Sequence, residues 1–246
     1  MRERPLLAIG EHSAALLQRG SAIEEARAAQ IDWSLTVGEN AAALQPVLVR
    51  AGTLDVVVDD RLVRYFVVTP PEGTASLAEL RTVATVRLGE LFGIDPLAFE
   101  LAADWRVAGA FLCCAIPSAI KQSVDQAAGL ARVSIASLAP LYVRVANSAS
   151  AARRHSGWVV VRANGWVTAA NLHNGAIRLV RSGALETLRQ LEPWLAQLAL
   201  TCGQSVATPL VLDADQPHKL PADWGRLERD RRDVELLATF NLAETH

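Results

Sequence analysis

The chain has 246 residues, 51% of them apolar and 20% charged, with a formal net charge of −2. That length can bury one large domain or two lobes, and the near-neutral balance excludes nucleic-acid binding through bulk electrostatics. The basic charge is almost all arginine, Lys121 and Lys219 being the only lysines.

The start, "MRERPLLAIGEHSAALLQRG", has a basic head and a short apolar run that Gly10, Glu11 and His12 interrupt too soon for a signal-peptide core. No window offers the roughly 20 uninterrupted apolar residues of a spanning helix, so the expectation is a soluble, cytoplasmic protein. Residues 6–19 read as a hairpin turning at Gly10–Ser13. Strand-like runs follow at 46–50, 54–58 and 61–68. In "LDVVVDDRLVRYFVV" the pair Asp59-Asp60 reads as a solvated turn between two β-branched runs. Pro70-Pro71 and Gly73 then end the sheet run.

In "SLAELRTVATVRLGELFG", Leu77, Leu80, Ala84, Leu88 and Leu91 recur at helical spacing. Ser76 and Glu79 form a capping box there, and Gly93 is a stop signal. A strand near 97–103 leads into "GAFLCCAIPSAIKQSVDQAAGLARVSIASLAP". This reads as a buried strand, a break at Pro117, a helix from about Ser118 and a strand ending before Pro140. The stretch 141–156 turns small and polar and is the expected junction between a first lobe, 1–150, and a second, 151–246. Beyond it, "GWVVVRANGWVTAANLHNGAIRLVRSG" is a β-meander turning at Asn164-Gly165 and Asn174-Gly175. A helix follows with Ala184, Leu188, Leu191, Leu195 and Leu198 on one face, and Pro193 is expected at a break or kink. The strand "ATPLVLDAD" and a last helix near 230–240 complete the chain. Strand clusters and single helices thus alternate twice, the pattern of an α/β protein built from two related halves.

Several chemistries are absent from the pattern. Cys113, Cys114 and Cys202 have no CxxC spacing, and adjacent cysteines on a strand point to opposite faces, so they read as buried thiols. The five histidines are scattered, with no HExxH. There is no GxSxG elbow and no GxxxxGK[ST] loop. The run "RLERDRRDVELL" interleaves its signs and reads as an exposed helix face, and Arg153-Arg154-His155 reads as a solvated linker.

In this order the elements resemble the actin-like ATPase superfamily. More narrowly, they resemble the PilM-type proteins of type IV pilus assembly and the cytoplasmic part of GspL-type proteins of type II secretion. The resemblance covers most of the chain, and the apolar strand-Pro-helix-strand-Pro segment around "FLCCAIPSAIKQSVDQAAGL" is its strongest part. It implies a two-lobed actin-like (ribonuclease H-like) α/β fold, with mixed sheets flanked by helices and the second lobe reduced. In that superfamily two hairpin turns written D-x-G, each with a hydroxyl residue shortly after, grip the phosphates, and the aspartates hold magnesium or its water.

Here the first turn reads Ala8-Ile9-Gly10 with Ser13 as the hydroxyl. The second reads Arg162-Ala163-Asn164, with Gly165 one place late and Thr168 in the hydroxyl position. The Gly-Gly turn expected after "ATPLVL" is replaced by Asp213-Ala214-Asp215. The resemblance therefore implies a degenerate phosphate site at Gly10, Ser13, Arg162, Asn164, Gly165 and Thr168, with no catalytic residue and no metal. No cofactor is expected, and the one route left to ATP or Mg-ATP is direct pairing of Arg162 with phosphate. Trp158 and Trp166 then read as core or lobe-interface residues.

The functional expectation is a cytoplasmic actin-like scaffold of a type IV pilus or type II secretion-like assembly machine. It would dock an inner-membrane partner, for instance by holding that partner's short cytoplasmic tail in a groove. GspL-type proteins carry their own membrane helix and this sequence shows none, so the expected place is peripheral, at the inner membrane through the partner. A homodimer is compatible with this reading. The alternatives are a catalytically competent ATP-binding member of the actin-like/sugar kinase superfamily and a small-molecule sensor using the cleft between the lobes.

Overall fold

Two sheets with one strand order organise the chain. The computed structural model describes residues 4–17, 27–106, 109–148, 155–173, 176–185, 187–202, 209–213 and 225–226. The first sheet holds β1 (Leu6–Ile9), β2 (Ser13–Leu17), β3 (Arg27–Gln30), β4 (Thr53–Val58) and β8 (Ser134–Pro140), in the order β3-β2-β1-β4-β8. The second holds β9 (Gly157–Ala163), β10 (Trp166–His173), β11 (Ala176–Ala184), β12 (Leu210–Asp213) and β13 (Gly225–Arg226), in the order β11-β10-β9-β12-β13. In each, the first three strands form an antiparallel meander and the last two join in parallel.

A third, antiparallel sheet of β5 (Arg64–Val68), β7 (Phe111–Pro117) and β6 (Phe99–Ala103) is inserted between β4 and β8. Helix α2 (Leu77–Phe92) backs it. Ser76 and Glu79 close a capping box at its start, and Gly93 ends it in the left-handed region at φ 63°, where a side chain would be strained. Leu80, Ala84 and Leu88, one turn apart, are buried against Phe66, Phe111 and Cys113. Each such leucine contributes roughly 1.5–3 kcal/mol of burial. Leu77 and Leu91, at the ends of the expected stripe, are exposed.

Several expectations are corrected. Residues 46–50 are not a strand: they close α1 (Val37–Leu48), which Thr36 and Glu39 start with a capping box and which contains Pro46 near its end. The apolar run outvotes that box only when read without the small residues before it. Strand β5 begins at Arg64, preceded by a 3-10 turn at Asp60–Leu62. Asp59-Asp60 is not a solvated hairpin tip, because β4 pairs in the first sheet and β5 in the third, and both aspartates are buried. Within the expected junction, 141–148 is a helix, α4 (Leu141–Ser148), which buries Leu141, Tyr142 and Val145. Ala184 ends β11 rather than lying on the following helix. That helix, α5 (Leu191–Cys202), has Pro193 in its first turn, where no N–H is needed, so Pro193 causes no break. The Asn174-Gly175 turn, the Arg153-Arg154 pair and the helix near 230–240 lie outside the described residues.

The second sheet is buried on both faces, which accounts for its nearly unbroken apolar run. Trp158, Val160, Val167 and Ala169 pack with Leu191, Leu195 and Ala199 of α5. Val159, Val161, Ala163 and Ala170, pointing the other way, belong to the same core as β1, β4, α1 and α3 (Ser118–Ala131) of the first half. Trp158 is therefore a core residue. The alternation also separates the adjacent cysteines: Cys113 packs with α2 and Cys114 with the main core. Burial pushes both thiols up, that of Cys114 to about 12.

Candidate functional site

The two hairpin turns differ in construction. In the first, between β1 and β2, the Gly10 N–H donates to the Ser13 carbonyl at 2.7 Å, and the Gly10 carbonyl accepts from the Trp33 indole at 3.0 Å. Both backbone groups of Gly10 are thus engaged by the protein. Ser13 opens β2 and is buried. The second is a two-residue turn in which Asn164 (φ 52°) and Gly165 (φ 66°) are both left-handed, the conformation that Asn-Gly hairpins favour. The Gly165 carbonyl accepts from Leu185 N–H at 2.7 Å.

Arg162 and Thr168 point to opposite sides of the second sheet. Arg162 shares the face of Trp158 and Val160, is 1% exposed, and donates through Nε to the Leu185 carbonyl at 3.2 Å. Thr168 faces the first half, hydrogen-bonding to Ser182 at 3.0 Å and lying beside the Asp60 carboxyl. The second sheet therefore brings the Asn164 carbonyl and Thr168 toward the first half but directs Arg162 away from it.

Between the halves lies a polar seam that no local sequence signal marks. Asp60 follows β4 and is 4% exposed. Its Oδ1 accepts from the Tyr65 hydroxyl at 2.5 Å and the Tyr142 N–H at 3.1 Å, in addition to the Thr168 contact. Burial pushes its carboxyl up to about 7, against the Tyr65 and Tyr142 donors and the nearby Thr168 hydroxyl, and Asp59 beside it pushes the same way as burial. Tyr65 and Tyr142 stack edge to face at 5.9 Å, and burial holds both phenols above their usual range. The Tyr142 hydroxyl reaches the Val159 carbonyl of the second sheet at 3.5 Å. Asp59 caps the 3-10 turn by accepting from Arg61 N–H at 2.9 Å.

Arg61 then spans both turns. One terminal nitrogen donates to the Asn164 carbonyl of the second turn, and the other lies 3.9 Å from the Glu11 carboxylate of the first. A guanidinium, with five donors in a planar fork, can serve a carbonyl and a carboxylate together. Sequence reasoning passed over Asp60 and Arg61 because an acidic pair between strand-like runs resembles an exposed turn. Tyr142 lay unnoticed at the edge of the expected junction.

A cavity lies elsewhere. It has a volume of about 640 Å³ and sits where the third sheet, the β8–α4 corner and the far ends of β9, β10 and β11 meet. Phe111, Leu138, Tyr142, Val143, Leu172 and Ile177 are among its walls, and Asp104 and Arg106, which form an exposed ion pair, supply charge. None of Gly10, Ser13, Arg162, Asn164, Gly165 and Thr168 lines it. Among the described residues no group of histidine, cysteine and acidic side chains could hold a metal, and no helix is long and apolar enough to cross a membrane.

No protein-family profile matches the chain, and no curated protein matches it significantly. Among solved structures it is similar to the cytoplasmic domain of EpsL, an inner-membrane component of the type II secretion system of Vibrio cholerae. The identity is 10% and the TM-score 0.52, over 97% of this chain and 94% of that one. The chain has the actin-like fold. Its actin-like arrangement is also similar to the PilM–PilN type IV pilus biogenesis complex, at 12% identity and TM-score 0.47 over 83% of this chain and 67% of that one. A Bacteroides thetaiotaomicron protein with actin-like ATPase fold and unknown function is similar at 8% identity and TM-score 0.49, over 82% and 78%. At these identities the likeness is one of fold.

Proposed function

We propose that this actin-like chain is a docking component of a type IV pilus or type II secretion-like assembly machine, holding the cytoplasmic tail of an inner-membrane partner without phosphate chemistry. The observation that carries this reading is the 640 Å³ apolar cavity at the three-way junction, set apart from both hairpin turns. Its size suits a short run of side chains, and its walls come from rigid strands and a helix, as binding clefts usually do. The resemblance to PilM- and GspL-type proteins implies docking on an inner-membrane partner, for instance by holding such a tail in a groove.

The turns support the same reading from the opposite direction. Magnesium binding needs ionised carboxylates and room for phosphate. Asp60 is engaged by the Tyr65 and Tyr142 donors and its carboxyl is pushed up by burial, while Arg61, whose charge opposes a metal ion, is already taken up by the Asn164 carbonyl and the Glu11 carboxylate. Arg162, the residue left for direct phosphate pairing, faces α5. This donor set is a poor fit to a magnesium ion.

The test is fluorescence anisotropy with labelled peptides from the cytoplasmic tails of single-span inner-membrane assembly proteins encoded beside this chain. One tail should bind, and Val143→Glu, placing a charge in the cavity wall, should abolish binding with the fold intact by circular dichroism. Binding that survives Val143→Glu, or no binding by any tail, would remove the docking reading. The nucleotide arm is thermal unfolding with saturating Mg-ATP. A ligand at about a hundred times its dissociation constant adds roughly 2.7 kcal/mol, or several degrees for a chain of this size. We expect no shift, and a shift of several degrees would instead support the ATP-binding alternative.

A further inference from the structure

We propose that the β4–β5 connector, through Asp60 and Arg61, is an internal clamp that sets how the two halves sit on one another, so that their arrangement does not depend on a bound ligand. This goes beyond the docking reading and does not rest on it, because Asp60 and Arg61 do not line the cavity, although Tyr142 and Val159 do.

Asp60 and Arg61 both belong to the first half, and both reach into the second. The Asp60 carboxyl lies beside Thr168 on β10 while accepting from Tyr65 and Tyr142 of its own half. Arg61 donates to the carbonyl of Asn164 at the tip of the β9–β10 turn and ion-pairs with Glu11 in the β1–β2 turn. The Tyr142 hydroxyl adds a contact to Val159. The contacts thus run along β9 and β10 from Val159 to Asn164, so they constrain rotation as well as separation.

Apolar packing cannot do this alone. Val159, Val161, Ala163 and Ala170 share the first half's core, and their burial holds the halves together. That force is non-directional and does not select polar partners. Hydrogen bonds are directional, and each buried donor or acceptor left without a partner is costly. Arg61 meets the Asn164 carbonyl, and the Tyr142 hydroxyl meets the Val159 carbonyl, only while the halves keep this relative placement. The clamp therefore narrows the arrangements that packing leaves open.

The test measures the distance between the halves. Spin labels are placed at Ala42→Cys on α1 and Arg189→Cys before α5, both exposed, in a Cys202→Ser background. Cys113 and Cys114 are buried and do not compete for label. The unliganded chain should give one narrow distance distribution, unchanged by saturating Mg-ATP. Arg61→Ala should broaden or split it while the circular dichroism spectrum stays unchanged. Should Arg61→Ala fail to fold, Arg61→Lys is read instead. It keeps the charge but cannot serve carbonyl and carboxylate through one planar fork, and the clamp again requires broadening. A distribution as narrow as the parent's in the variant that is read would overturn the proposal, showing that packing alone holds the halves. So would a parent distribution that is broad and narrows on adding Mg-ATP.

Discussion

The two five-stranded halves share strand order and the position of their crossover helices, yet they treat their opening hairpins differently. The first hairpin has a wider turn whose Gly10 backbone is engaged on both sides and which carries an acidic residue, Glu11, toward Arg61. The second is as tight as a hairpin turn can be, with two left-handed residues and a carbonyl offered to the same arginine. Both crossovers begin with a Thr-x-x-Glu or Thr-x-x-Gln box, at Thr36–Glu39 and Thr187–Gln190. Among the described residues, the first half alone carries an insertion, after β4, whose first residues reach the second turn. The comparison teaches that a repeated topology sets where two turns meet, while side chains from outside the repeat decide what they meet.

Predictions that break or sharpen this comparison run from large to small. Trp158→Ala, in the core between β9 and α5, should cost about 3–5 kcal/mol in denaturant unfolding. A single transition is expected, because the opposite face of β9 lies in the first half's core. Two separated transitions would show that the halves unfold independently.

Asp60 comes next. Its carboxyl is pushed from 3.8 to about 7 in the folded chain, so folding favours the protonated form. The resulting stability is fully present below about pH 4 and is lost as pH rises toward 7, on the order of a few kcal/mol. His155, in the second half, runs the other way: burial lowers its pKa from 6.5, so protonation disfavours folding and stability rises with pH through that range. Asp60→Asn removes only the first contribution, and its unfolding free energy should fall less steeply between pH 4 and 7 than the parent's. Parallel curves would mean that Asp60 does not titrate in this window.

At the second turn, Gly165→Ala should cost about 1–2 kcal/mol through backbone strain alone, since φ is 66° and nothing lies near the added Cβ. The melting temperature should drop accordingly, and an unchanged value would show that the turn relaxes out of the left-handed region. The smallest effect belongs to the first turn. Glu11 is about half exposed and 3.9 Å from Arg61, so Glu11→Ala should change stability by less than about 1 kcal/mol and less still in high salt. A larger loss would move the weight of the inter-turn contact from the Asn164 carbonyl to the ion pair.

Sequence alone determined the elements whose signals are local. The α2 boundaries follow from Ser76, Glu79 and Gly93, the second hairpin turn from Asn164-Gly165, and the split of Cys113 from Cys114 from strand alternation. The order of those elements was enough to indicate the actin-like fold. Helix α1 was within reach through Thr36 and Glu39, but the apolar run after Pro46 masked it. Tertiary structure decided the rest. Whether Asp59-Asp60 meets water depends on which sheets receive β4 and β5, and these are different sheets. Where Arg162 points depends on which face of β9 packs on α5. Asp60 and Thr168, like Arg61 and Asn164, are separated by about a hundred residues of chain, and only the packing of one half on the other makes them neighbours. Local propensity acts over a few residues, whereas a buried polar contact between distant segments is set by which apolar faces must leave water together.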